Sequence, residues 1–347
     1  MNPKLTAVLA GSAVVTVGLA LTFEHPPVET VQRGFRGLGM NQVYNPRQLA
    51  DEAALNQVPP PIDPVEPGGT PSREVYQNVQ VLGDVDSEEF LRLMNAITAW
   101  VSPEQGCTYC HAEGEELSSD SLYTKVVARR MIQMTRHING DWKQHVGNTG
   151  VTCYTCHRGQ PLPAAIWYTD PGRPHARGSL GDPAGQNGPG TSVGLSSLPS
   201  DPFDPFLLHD SGIRVVSTSA LPEGNRQSIK QAEWTYGLMM HMSDSLGVNC
   251  TYCHNSRSFA AWDQSTPARA SAWYGIRMAR DLNTTYLQPL APVLPHHRLG
   301  PLGDPPKLNC GTCHRGAYKP LYGASMVADY PELIGASGAP ANASPAP

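Results

Sequence analysis

The sequence of 347 residues is short of charge and has no cysteine to spare. Only 16% of its residues are Asp, Glu, Lys or Arg and the formal net charge is −5, which excludes a nucleic-acid partner needing many phosphate-neutralising cations. Aromatic residues make up 7%, against 33 Gly and 33 Pro, so the chain is loop-rich and its core need not come from side chains alone. All eight cysteines fall into four Cys-x-x-Cys-His motifs, leaving none for a disulfide. They are Cys107, Cys110 and His111; Cys153, Cys156 and His157; Cys250, Cys253 and His254; Cys310, Cys313 and His314.

In this motif the two thiols add across the vinyl groups of a haem, and the histidine binds its iron through the imidazole. Zinc knuckles also use paired cysteines, but they do not require a histidine directly after the second one, and here it is present every time. Four covalent haem c groups are expected, large apolar bodies for a loop-rich chain to wrap. No Cys-x-x-Cys-Lys motif occurs, and every iron has a plausible sixth ligand, which argues against a multihaem enzyme with an open iron position. The expected fold class is mainly α with long loops, in two pseudo-repeated dihaem halves behind one N-terminal transmembrane helix.

Charge is absent altogether from residues 5–23, the length of a spanning helix. Lys4 before it favours a cytoplasmic start, with the remainder in the periplasm. The run is long for a signal peptide, which favours retention; Gly18-Leu19-Ala20 offers a cleavage site as the alternative. The chain divides into an anchor (1–24), an extended arm (25–74), a first dihaem half (75–165), a Pro/Gly-rich connector (166–222), a second dihaem half (223–325) and a flexible tail (326–347). The repeat is direct: Cys-Thr-Tyr-Cys-His occurs at 107–111 and 250–254, and Thr-Cys-His-Arg-Gly at 155–159 and 312–316.

A second axial ligand is sought on helices before the motifs, where methionine would raise the potential. Asp86 opens a helix on which Phe90, Met94, Ile97 and Val101 share a stripe. Residues 122–138 predict a helix ended by Asn139-Gly140, with Met131 and Met134 both eligible. Ile229–Leu246 predicts a third, closed by Gly247 and bearing Met239, Met240 and Met242. Aligning the halves with a loop two residues shorter favours Met239. The fourth motif has no nearby upstream methionine, and histidine is the substitute. His25, His137, His145, His175, His209, His296 and His297 are open candidates.

With these motifs and helices, and with Ala-Arg-Arg-Met at 128–131, Trp-Tyr-Gly-Ile-Arg-Met-Ala-Arg-Asp-Leu-Asn at 273–283, Lys-Pro-Leu-Tyr-Gly-Ala-Ser at 319–325 and Gly-Phe-Arg-Gly-Leu at 34–38, the chain resembles the tetrahaem cytochrome subunit of purple-bacterial photosynthetic reaction centres. The resemblance runs from residue 22 to residue 332. It implies an electron-transfer protein rather than an enzyme, on the periplasmic side of the chromatophore membrane, passing electrons from a soluble donor such as a small cytochrome c to the bacteriochlorophyll special pair of the L and M subunits. It implies Met94, Met131 and Met239 as ligands to the first three irons and His145 to the fourth. It further implies a roughly linear array, with the third-motif haem nearest the special pair and the first at the outer end, and a potential-tuning role for Arg269. One departure is Thr22, which stands where many members have a lipid-bearing cysteine before Phe-Glu-x-Pro-Pro, here residues 23–27; this favours a retained helix over a lipid anchor.

Residues 84–120 hold nine acids against one base, Arg92. An acidic face around the first haem, with Glu113, Glu115 and Glu116 at its centre, would steer a cationic donor. A membrane-anchored quinol-oxidising tetrahaem cytochrome is the rival. It would lean on histidine ligands, whereas three motifs here follow methionine-bearing helices.

Overall fold

The computed structural model describes residues 3–22, 28–33, 40–171, 190–215 and 229–334. Helix α1, Pro3–Thr22, is apolar along its length, buries none of its residues, and is long and apolar enough to cross a membrane. With no buried face against the rest of the chain, its side chains need an apolar surrounding from elsewhere. The Gly-Phe-Arg-Gly-Leu run at 34–38, residues 23–27, His25, His175 and residues 335–347 lie outside the described residues.

The arm is not merely extended. Strands β1 (Glu29–Arg33) and β2 (Met40–Tyr44) form an antiparallel hairpin with Glu29 opposite Tyr44. Asn45 then caps helix α2, Pro46–Leu55, through Arg47 N–H, with proline in the first turn where it loses no helical bond. Asn56, at its end, donates to the Arg315 carbonyl and accepts from Leu321 N–H, so the arm clasps the C-terminal half of the molecule. Composition concealed this, because the region's prolines cluster after the helix.

A short turn, α3 (Ser72–Val75), leads to α4, Ser87–Val101, capped by Asp86 as expected. Its deepest residues are Leu93, Ala96 and Trp100; the expected stripe of Phe90, Met94, Ile97 and Val101 is half-buried and flanks this core. Helix α5, Tyr123–Asp141, runs three residues past its expected end. Asn139 does not stop it, because its amide is satisfied by other segments. The turn α6 (Lys143–Val146) and helix α7 (Cys153–His157) complete the first half. In the second, α8 spans Ile229–Leu246 and ends at Gly247 with φ +62°, where a side chain would also strike the Gly316 carbonyl. Helix α9, Pro267–Asp281, continues through a π-helical turn, Leu282–Leu287, and α10 is Cys310–His314.

Two apolar clusters hold these elements, and neither respects the halves. The first joins Leu82, Leu93 and Trp100 to Leu321, Met326, Val327, Tyr330 and Leu333, so residues 326–334 are folded core rather than flexible tail. Tyr330 packs edge-on to Trp100 at 4.7 Å and lies under the Arg92 guanidinium. The second cluster joins Ile138 to Leu238, Ile276, Leu282 and Tyr286, and takes Trp167, Phe203, Phe206 and Leu207 from the connector. That segment is irregular, yet these four side chains are buried. Each such buried side chain contributes about 1.5–3 kcal/mol.

Candidate metal centres

The motifs fold in two ways. The first and third are single 3-10 turns, Gly106–Tyr109 and Cys250–Tyr252, each latched by a threonine hydroxyl that donates to the motif tyrosine's carbonyl: Thr124 to Tyr109 and Thr266 to Tyr252. The second and fourth are the α-helical turns α7 and α10, each opened by a backbone N–H that donates to the hydroxyl of the threonine three residues on, Thr152 to Thr155 and Asn309 to Thr312, both at 3.0 Å. Each closes on an arginine in left-handed conformation, Arg158 and Arg315, both at φ 50°. The glycine that follows donates to the upstream helix: Gly159 N–H to the Trp100 carbonyl of α4, and Gly316 N–H to the Ser245 carbonyl of α8, both at 2.8 Å. Trp100 is six residues after Met94 and Ser245 six after Met239, so this bond places Met239, and not Met240 or Met242, in the register of Met94.

The four motif histidines share one arrangement. Nδ1 of His111, His157, His254 and His314 lies 2.8–2.9 Å from the carbonyls of Leu117, Gln160, Phe259 and Ala317. A carbonyl only accepts, so Nδ1 carries the proton and Nε2 keeps its lone pair. Burial lowers the pKa of all four, His314 to about 4 with His145 beside it adding to the effect. Neutral imidazoles fixed in the Nε2-free tautomer are ready metal ligands.

Among the other described histidines, one repeats this arrangement. His145 Nδ1 donates to the Ser271 carbonyl at 2.9 Å, and its ring stands 6.0 Å from that of His314, at an interplanar angle of 64°. Two metal–nitrogen bonds of about 2 Å and the two half-rings account for a separation of that size. His137 offers no free nitrogen, for it bonds Asp141 at 2.7 Å and Asp281 at 2.6 Å. His209 is exposed beside Asp204, and His296 and His297 are exposed. His241, which the sequence reading had not weighed, is engaged at both nitrogens by Ser192 and Ser245.

Room for His145 is provided by α9. A Cβ at Gly275 would lie 2.6 Å from His145 Cε1 and 2.9 Å from Nδ1, so no larger residue fits beneath the ring. Helices α5 and α9 repeat one another at an offset of 144 residues, fixed at both ends. Lys125 and Arg269 each donate to carbonyls of the loop that follows the preceding motif, Leu117 and Ser119 in one case and Ala261 in the other. Asn139 makes a two-point clamp with Val151, and Asn283 makes the same clamp with Leu308, each partner two residues before its motif. The offset was legible in Met-Thr-Arg-His-Ile-Asn at 134–139 against Met-Ala-Arg-Asp-Leu-Asn at 278–283. It pairs Met134 with Met278, both packed on the second apolar cluster, and it pairs Met131, half-buried and outside both clusters, with Gly275.

Arg269 is no free surface cation. It is half-buried, lies 4.1 Å over the Trp262 ring and donates to Ser265 as well as Ala261. The acidic run is narrower than its sequence suggests: Glu89 pairs with Arg92, Asp120 with Lys125 and Arg129, and Asp84 lies 3.8 Å from Arg136. Glu113, Glu115 and Glu116 remain exposed in the loop after the first motif, around Leu117, which is 68% exposed; Glu115 accepts from Ser119 and Ser121.

Packing of α7 against α10 brings together the second cysteine of their motifs: the sulfurs of Cys156 and Cys313 are paired, with Cα atoms 4.5 Å apart, although the sequence assigns every cysteine to haem. A disulfide and two haem thioethers are alternative uses of these two sulfurs. The other six cysteines are free thiols, and among the described residues no three His, Cys, Asp or Glu side chains converge as an all-protein zinc site would require.

Residues 24–334 match the sequence model described as photosynthetic reaction centre cytochrome C subunit. The chain belongs to that family. It is 53% identical over 322 residues to the photosynthetic reaction center cytochrome c subunit of Rubrivivax gelatinosus, covering 92% of this chain and 87% of the relative. To the subunit of the same name from Thermochromatium tepidum it is 51% identical, covering 96% and 82%, and to that of Roseobacter denitrificans 40%, covering 94% and 90%. As a reaction centre cytochrome c subunit it is an electron-transfer component of photosynthesis that carries haem c and associates with the reaction centre, and α1 is consistent with membrane anchoring.

Proposed function

We propose that this chain relays single electrons through four haem c groups, from a soluble periplasmic donor such as a small cytochrome c to the photo-oxidised special pair held by the L and M subunits. Haem c supplies a reversible one-electron couple at its iron. The chain's residues set where that iron sits, how tightly it holds its electron and which partner reaches it. The observation that carries the reading is the pair His145 and His314, 6.0 Å apart and both with Nδ1 committed to a carbonyl, so that two Nε2 atoms are free for one metal ion.

In this reading Cys107 and Cys110, Cys153 and Cys156, Cys250 and Cys253, and Cys310 and Cys313 hold the four groups in thioether linkage; Cys156 and Cys313 then bond haem rather than each other. The irons would be held by His111 with Met94, His157 with Met131, His254 with Met239, and His314 with His145. Met239 is supported by its register with Met94, and Met131 by its register with Gly275. Three thioether ligands and one imidazole give unequal potentials, because methionine raises the potential relative to histidine.

Arg269, tied into the loop after the third motif, places a fixed cation near that iron and holds its potential up. Glu113, Glu115 and Glu116 around Leu117 receive the donor at the first motif, the outer end of the array; the third motif faces the special pair. Helix α1 anchors the chain with residues after it on the periplasmic side.

The test is flash spectroscopy on membranes with the haems pre-reduced, paired with a pyridine haemochrome count and the intact mass. The expected result is bleaching of a haem α-band that matches re-reduction of the special pair, four haems per chain and a mass with all eight thiols in thioethers. No bleaching in intact, pre-reduced membranes would reject the relay, and a mass retaining a Cys156–Cys313 disulfide would reject the count of four.

A further inference from the structure

We infer that Gly275 selects the sixth ligand of the fourth metal centre: by withholding a side chain at the place where α5 carries Met131, it admits His145 from the other half. The inference rests on the ligand reading above and goes beyond it, since it assigns the choice between methionine and histidine to a residue that touches no iron.

The register comes from both ends of the helices. Lys125 and Arg269 each bind the loop behind the preceding motif, and Asn139 and Asn283 each clamp the residue two before the next one. Between these points the two helices have equal lengths, with Met131 and Gly275 six residues after the base and eight before the asparagine. Residues so placed on matched helices occupy the same position relative to their motifs. Neighbouring pairs bear this out: Ile132 and Ile276 are both buried, as are Ile138 and Leu282. At the one position that would carry a methionine toward the fourth centre, the chain has glycine.

The vacated volume is filled from the first half. His145 lies against Gly275, is held by the Ser271 carbonyl one helical turn earlier on α9, and faces His314. Glycine in a helix interior is less favourable than alanine, and here it occurs in regular helix with no left-handed turn to justify it. The close approach of the imidazole is the physical reason for it. Since imidazole in place of thioether lowers the potential, Gly275 makes the fourth centre a low point of the array.

The experiment uses the full chain assembled with its haems. In Gly275→Ala the new methyl group cannot coexist with the ring of His145, so one haem in four should lose its sixth ligand and bind carbon monoxide on reduction, where the parent binds none. In the double variant Gly275→Met with His145→Ala, the methionine-to-iron band near the red end of the oxidised spectrum should rise from three haems' worth to four, and one wave of the redox titration should move upward. An unchanged spectrum and no carbon monoxide binding in Gly275→Ala would overturn the inference. So would a double variant that keeps four haems without gaining the band. Should Gly275→Ala fail to assemble, the double variant decides alone. A parent protein with other than four haems or three methionine ligands would instead refute the ligand reading beneath it.

Discussion

The same five-residue chemistry is set in two kinds of surroundings. The first and third motifs are 3-10 turns near the surface, each held by one threonine hydroxyl and one long basic side chain from the following helix. The second and fourth are capped α-helical turns in the interior, packed on each other closely enough for Cys156 and Cys313 to meet, clasped by α2 and clamped by asparagines that are 3% and 0% exposed. A covalent motif therefore does not dictate its surroundings. The outer pair is held by few bonds, and the inner pair is held at a fixed spacing by packing.

If that contrast is physical, breaking an inner clamp must cost far more than loosening an outer latch. Asn283→Ala strands the Leu308 N–H and two carbonyls in the interior and should destabilise the holoprotein by about 3 kcal/mol. Thr266→Ala removes one hydroxyl bond at a half-buried turn and should cost only about 1 kcal/mol. Denaturant titrations of the two variants measure both, and equal losses would erase the distinction between inner and outer motifs.

The four motifs were legible in the sequence because Cys-x-x-Cys-His is contiguous, and so were α4, α5 and α8, whose periodicity and caps are local. The approach of His145 to the fourth motif was not. His145 meets His314 only through packing, and no spacing along the chain distinguishes it from His137, whose two nitrogens prove to be occupied. Helix α2 and residues 326–334 were missed for a related reason: proline-rich and short apolar stretches read as loose until the core they join is known. The different surroundings of Met131 and Met134 could have been read from the repeat between α5 and α9, had Gly275 been recognised as the counterpart of Met131 rather than as an ordinary small residue.

His137 sharpens the comparison at the seam between the halves. Its hydrogen bond to Asp281 is the main cause that raises its pKa, with Asp141 adding to it, and both ring nitrogens donate only when the imidazole is protonated. A group whose folded pKa lies above its unfolded value of about 6.5 gives its full stabilisation below that pH and loses it as pH rises through the folded value. Unfolding free energy should therefore fall as pH rises above about 6.5. His137→Gln should flatten that slope without altering the haem spectra. A variant that keeps the parent's pH dependence would move the titrating group elsewhere.

The smallest effect on stability belongs to the outer surface, where the change is one of rate. Glu113, Glu115 and Glu116 are exposed around Leu117, whereas Glu89, Asp84 and Asp120 face neighbouring cations. Charges already paired contribute little field at a distance, so steering at this loop comes from Glu113, Glu115 and Glu116. Replacing all three by glutamine should slow second-order reduction by a cationic donor about fivefold at low salt, close to 1 kcal/mol. It should flatten the salt dependence and leave the unfolding curve in place, because Glu115 alone of the three makes internal hydrogen bonds, to Ser119 and Ser121 in the same loop. The salt slope is the sharper readout: a loss of rate with an unchanged slope would mean that the loop had been distorted rather than discharged, and the donor would have to be sought on another face.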